Sequence, residues 1–96
     1  MLRCMWVYAQ LKAPDGALVN LGPGDIIGRM PTAALRLNDP RVSEAHALVS
    51  LRGTSLRLLA LRGRFFVDNV AQTDVELRPG LRLLLAHHLP LEVVSL

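Results

Sequence analysis

Cysteine is nearly absent from the 96-residue chain: Cys4 stands alone, so no internal disulfide can form. A lone thiol, with no secretory pattern around it, fits a reducing, cytoplasmic setting. Long apolar runs are missing as well. The stretches from Cys4 to Ala9 and from Leu83 to Ala86 fall far short of the ~20 residues of a membrane span, so no membrane partner is expected. Aromatic residues make up only 4%. Phe65-Phe66 offers little of the stacking surface that nucleic-acid binders interleave with basic residues, and no recognised nucleic-acid motif occurs. Nucleic acid therefore stays a minor alternative, kept open by a sequence pI near 10.0. Lysine is the last scarcity: Lys12 stands against ten arginines in a chain of net charge +3.

What is present reads as one globular domain spanning residues 1–96, with 51% hydrophobic and 20% charged residues and no repeat or linker-like tract. Short apolar runs alternate with turn signals every 8–12 residues or so, the spacing of a β-sandwich or barrel. Strands are expected over 3–11, 17–21, 25–28, 35–37, 45–51, 55–61, 65–67, 75–77, 81–85 and 91–95. Pro14-Asp15-Gly16, Gly22-Pro23-Gly24, Asn38-Asp39-Pro40, Arg52-Gly53-Thr54 and Arg78-Pro79-Gly80 break the chain between them. His87-His88 is expected at the solvated tip of a last hairpin. Leucine favours helix over strand, but few of the leucine runs reach ~10 residues before a Gly or Pro intervenes. Leu56-Arg57-Leu58 and Leu81-Arg82-Leu83 also alternate with period two. The predicted fold is all-β: a twisted sandwich of about ten or eleven short, mostly antiparallel strands.

A compositional bias toward arginine and an anionic partner account equally well for the arginine count, so placement decides between them. Guanidinium forks match phosphate and carboxylate geometry better than ammonium groups do. The pattern that stands out is Ile26-Ile27-Gly28-Arg29, thirteen further residues, then Ser43-Glu44-Ala45-His46-Ala47. Leu37-Asn38-Asp39-Pro40-Arg41-Val42 leads into the serine, and Phe66-Val67-Asp68-Asn69 and Val75-Glu76-Leu77-Arg78-Pro79-Gly80 follow downstream. Together these resemble the forkhead-associated (FHA) domain over nearly the whole chain, from about Gly16 to Val94. The resemblance implies a non-catalytic module that recognises phosphothreonine on a protein partner, with a Ser/Thr kinase upstream and no cofactor or metal. It implies that Arg29 and Ser43 contact the phosphate, that Gly28 allows the sharp turn after its strand, and that His46 holds the loops in shape.

The chain also departs from the family pattern. Glu44 follows the serine where the family often has a basic residue. Arg62-Gly63-Arg64 replaces the family's Asn-Gly pair, keeping the glycine and losing the asparagine. Asp68 stands where a second asparagine is expected, and Gly80-Leu81 replaces Gly-Asp. One reading is that Arg41, Arg62 and Arg64 are accessory contacts that substitute for those lost. The alternative is a degenerate FHA-like domain that docks on proteins without phosphate, with a second copy of itself as one candidate partner. A third is a general anion or nucleic-acid binder.

Ser43, His46 and Asp39 contain the letters of a catalytic triad, but no nucleophile elbow is present and their spacing on extended chain does not suit that geometry. His87 and His88 lie adjacent on the chain, so on a strand they would point to opposite faces, with no third metal ligand near. Gly22-Pro23-Gly24 precedes no helix and no Lys-Ser/Thr, so it is not a phosphate-cradling loop.

Overall fold

The computed structural model describes residues 8–86 and 88–96. Among them there is no helix, and eleven strands form two sheets packed face to face. In chain order they are β1 (Ala9–Lys12), β2 (Leu18–Leu21), β3 (Ile26–Gly28), β4 (Leu35–Arg36), β5 (Ala47–Arg52), β6 (Ser55–Ala60), β7 (Phe65–Val67), β8 (Val70–Gln72), β9 (Asp74–Glu76), β10 (Arg82–Leu85) and β11 (Leu89–Ser95). One sheet runs β2-β1-β11-β10-β7-β8 and the other β4-β3-β5-β6-β9. Every pairing is antiparallel except β3 with β4, where Ile27 faces Leu35 and Gly28 faces Arg36.

The two-residue side-chain period explains why leucine-rich segments form strands here. Along β6, Leu56 and Leu58 are buried while Arg57 between them is turned outward; along β10, Leu83 and Leu85 are buried and Arg82 is exposed. Each buried leucine contributes about 1.5–3 kcal/mol relative to exposure. A helix would scatter these leucines around its circumference. The core they join contains Leu11, Leu21, Ile27, Val49, Phe65, Leu77, Leu91 and Val93. Among the described residues of this core Phe65 is the aromatic member and the rest are aliphatic.

The sandwich predicted from sequence is the fold observed, with three differences. The first predicted strand begins at Arg3, and its residues before Tyr8 lie outside those described. Strand β8 was not predicted: Val70-Ala71-Gln72 is a half-exposed edge strand with little apolar alternation. It is reached by a two-residue hairpin in which Asp68 and Asn69 both have positive φ, 51° and 65°. That is a type I′ turn, and Asp and Asn are among the few residues that adopt it without a glycine. Finally, β5 starts at Ala47, because Ser43 to His46 form an irregular segment engaged elsewhere. No helix among the described residues is long and apolar enough to cross a membrane.

Candidate functional site

Strands β3, β4 and β6 end at one end of the sandwich, where β5 and β7 begin, and the loops joining them are locked by backbone hydrogen bonds. Arg29 N–H donates to Ser43 O (3.0 Å), Met30 N–H to Glu44 O (3.2 Å) and Leu37 N–H to Gly28 O (2.9 Å). Gly28 is the tightest point of this seam. A Cβ there would overlap the backbone carbonyl of Glu44, so the two backbone segments approach this closely only at glycine.

His46 is the buried polar side chain among the described residues, and it ties this seam to the next loop. Ser43 N–H donates to His46 Nδ1 (3.1 Å). Nδ1 is therefore the acceptor, the proton sits on Nε2, and Nε2–H donates to Arg64 O (2.7 Å). The backbone around the histidine is pinned as well: His46 N–H donates to Ile27 O, and His46 O accepts from Leu61 N–H. The ring lies directly against Gly63, where a Cβ would overlap its Nδ1, Cε1 and Nε2 atoms. Thus the glycine retained in Arg62-Gly63-Arg64 has a steric cause that does not depend on the residue before it.

On this frame sit the predicted site residues. Arg29 is exposed, and its Nε–H donates to Val42 O at 3.0 Å. That bond fixes the guanidinium beside Ser43 and leaves both terminal nitrogens free of any ion pair among the described residues. Ser43 is half-buried, and its hydroxyl has no hydrogen-bond partner among them. Arg62 and Arg64 are exposed and unpaired on the loop that closes over His46; Arg62 N–H reaches Ala45 O and Arg64 O receives both His46 and Ala86 N–H. Glu44 is exposed and makes no ion pair among the described residues, with Arg29 or any other cation.

Arg41 differs from the other loop arginines. Its Nε lies 3.5 Å from Asp39 Oδ1, which also accepts Arg41 N–H at 2.8 Å. The other carboxylate oxygen accepts from His88 Nε2 at 3.0 Å. The His88 bond foremost, then the Arg41 N–H, hold the Asp39 carboxyl below its ordinary range. This corrects the expectation of a solvated histidine tip: His88 is docked on the Asp39 loop with 28% of its side chain exposed. His87 lies outside the described residues.

The same contacts remove the triad geometry. Both His46 nitrogens are occupied by backbone groups, and Asp39 faces His88, so neither can activate the Ser43 hydroxyl. Asp68 does not join the site. It forms the hairpin turn at the end of β7 remote from Arg64, beside Arg82 and Pro90.

One residue at this end was missed from the sequence. Arg36 ends β4 and donates from Nε to Arg29 O at 3.1 Å. Only the parallel pairing of β4 with β3 brings it there, and a two-residue strand separated from its partner by a loop leaves no such signal in the sequence. The site end thus carries exposed Arg29, Arg36, Arg62 and Arg64, all without an acidic partner, beside a free hydroxyl. Such an arrangement attracts an anion and offers it fixed charge-assisted donors.

Comparison with known proteins agrees with this architecture. The family model for the FHA domain matches residues 26–86. Among solved structures, an FHA domain from an analysis of phosphothreonine-dependent FHA domain interactions is 27% identical with a TM-score of 0.80. The alignment covers 94% of this chain and 98% of that one. The FhaA FHA domain, solved in complex with the intracellular domain of Rv3910, is 29% identical with a TM-score of 0.77, over 88% of this chain and 98% of that one. Mycobacterium tuberculosis EmbR, solved with a low affinity phosphopeptide, shares the fold at 22% identity and a TM-score of 0.77; 93% of this chain aligns with 25% of that one. No curated protein sequence matches. The matched segment holds Gly28, Arg29, Ser43, His46 and Gly63 together with the strands that place them, and on that ground the chain belongs to the FHA domain family.

Proposed function

We propose that residues 1–96 form a single FHA domain that binds phosphothreonine on a protein partner, downstream of a Ser/Thr kinase and in a cytoplasmic setting, without catalysis. The observation that carries this reading is the state of Arg29. Its guanidinium is anchored through Nε on Val42 O, its remaining N–H groups face no acid, and the Ser43 hydroxyl beside it is unengaged. A phosphate docked there gains charge-assisted bonds, each contributing about 1.5–3 kcal/mol. Its donors are already ordered by the backbone, so little entropy is lost on binding. Arg62 and Arg64 add field from the facing loop, and Arg41, moderated by Asp39, adds less. The neighbours bear on this reading, since one belongs to a phosphothreonine-dependent set of FHA interactions and another holds a partner's intracellular domain.

Calorimetric titration with phosphothreonine peptide pools, against unphosphorylated and phosphoserine pools, tests the proposal. Saturable heat from the phosphothreonine pools alone, abolished by Arg29→Ala, is expected. A folded protein that gives no heat with any pool would overturn it. A phosphate-independent docking domain would then be the better reading, which Glu44 beside Ser43 and Arg62 in place of the family asparagine already favour.

A further inference from the structure

The described arginines fall into two groups. Arg41, Arg52, Arg57 and Arg82 each lie within 4.0 Å of a carboxylate. Arg29, Arg36, Arg62, Arg64 and Arg78 do not. Arg78 is at the opposite end, in the turn between β9 and β10, so four of the five unpaired guanidiniums gather at the candidate site. Of these, only Arg29 and Arg36 have a side-chain anchor, each through Nε on a backbone carbonyl: Val42 O for Arg29 and Arg29 O for Arg36. An Nε anchor leaves the terminal N–H groups of the fork to an outside acceptor. The Arg36 anchor is the carbonyl of Arg29 itself, so the Arg36 guanidinium is held against the backbone of the residue that carries the other charge, and neither pairs with an acid among the described residues. Arg29 already has the Ser43 hydroxyl beside it to complete a phosphate site, and Arg36 reaches out from the neighbouring strand on the β4 edge.

We propose that Arg36 forms a second anionic subsite, so that the ligand carries another negative group close to its phosphothreonine. The proposal rests on the phosphothreonine reading above. A carboxylate side chain and a second phosphate share the required chemistry: acceptor oxygens for one guanidinium fork.

The test measures affinities of phosphothreonine peptides with neutral flanks, with one aspartate moved stepwise along both flanks, and with a second phosphothreonine moved likewise. The proteins are the unaltered chain, Arg36→Ala, Arg36→Lys and the charge-matched control Arg78→Ala. At one flank position the second anion should raise affinity about fivefold or more. Arg36→Ala should erase that gain, so that the variant binds the doubly anionic peptides no more tightly than the neutral-flank peptide. Arg36→Lys should keep part of it, and Arg78→Ala should keep all of it. An equal gain from aspartate identifies an acidic side chain as the natural group, and a gain confined to the second phosphate identifies a doubly phosphorylated ligand. Binding of the neutral-flank peptide with no gain at any position, or a gain that survives Arg36→Ala, overturns the second subsite and leaves phosphothreonine recognition standing. Failure of every phosphopeptide overturns both.

Discussion

The two sheet faces and the loop end of this sandwich treat arginine in opposite ways. On the sheets, Arg57 bonds Asp74 at 2.6 Å across the β6–β9 pair, Arg52 reaches the same carboxylate, and Arg82 lies opposite Glu92. These are cross-strand partners that neutralise each other at home. At the loop end, Arg29 and Arg36 bond backbone carbonyls instead, and the acid nearest in sequence to Ser43, Glu44, pairs with none of them. Carbonyl anchoring orders a guanidinium without cancelling its charge. The molecule thus separates arginines that serve the fold from arginines held ready for something outside it.

The contrast breaks most completely if the frame beneath the loop arginines is disturbed. His46→Ala removes a buried ring and leaves Ser43 N–H without its acceptor, whereas Arg64 O keeps Ala86 N–H. Denaturant unfolding should report a loss of roughly 2–4 kcal/mol. Gly63→Ala should act through the same contact, because its methyl group displaces the ring. Neither substitution touches an arginine, yet both should abolish phosphopeptide binding.

The next largest effect separates the two classes directly. Arg29→Ala and Arg82→Ala remove the same charge. The first should weaken phosphopeptide binding about thirtyfold or more, the equivalent of one or two charge-assisted bonds. The second should change it less than about twofold, since it loses only an exposed pair. A titration in which both variants weaken binding equally would mean that net charge, not placement, governs affinity.

Glu44 sharpens the comparison from the acidic side. Exposed and unpaired beside Ser43, it repels a dianionic ligand. Glu44→Gln should raise affinity about threefold at low salt, with the advantage shrinking as ionic strength rises.

The smallest effect concerns Asp39, the acid at this end that is paired, with Arg41 and His88. Its carboxyl is held below the ordinary range by His88 and by Arg41 N–H, so folding favours the ionised form. The stability this contributes is fully present above about pH 4 and is lost as pH falls through the lower folded-state value. Unfolding curves taken from neutral to strongly acid pH should therefore converge for the unaltered chain and Asp39→Asn as pH drops. Curves that stay parallel throughout would show that the His88 contact does not bear on stability.

Much of this was legible in the chain. Period-two leucines bounded by Gly and Pro gave the strands, and Gly28-Arg29 with Ser43-x-x-His46 marked the loop end and the family. What escaped depended on tertiary approach. The edge strand Val70–Gln72 is too short and too exposed to carry a pattern, and its turn uses Asp68-Asn69 where a glycine would have signalled it. Arg36 looks like any outward residue between two leucines until β4 pairs in parallel with β3. His88 reads as a hairpin tip, and its partner Asp39 lies 49 residues earlier. The reason for Gly63 is a ring on another loop, which spacing alone cannot reveal.

The way His46 is held has a practical consequence for altering this domain. The histidine, the two close-approach glycines and the backbone bonds around them define the shape of the loop end, while the exposed side chains at 29, 36, 41, 44, 62 and 64 project from it. Outward positions on a rigid support can be varied together with little loss of folding stability. A library randomised at the last five of these positions, with Arg29, Ser43, Gly28, His46 and Gly63 kept, would therefore search ligand preference within a fixed geometry, and the domain becomes a starting scaffold for readers of chosen phosphorylated sequences.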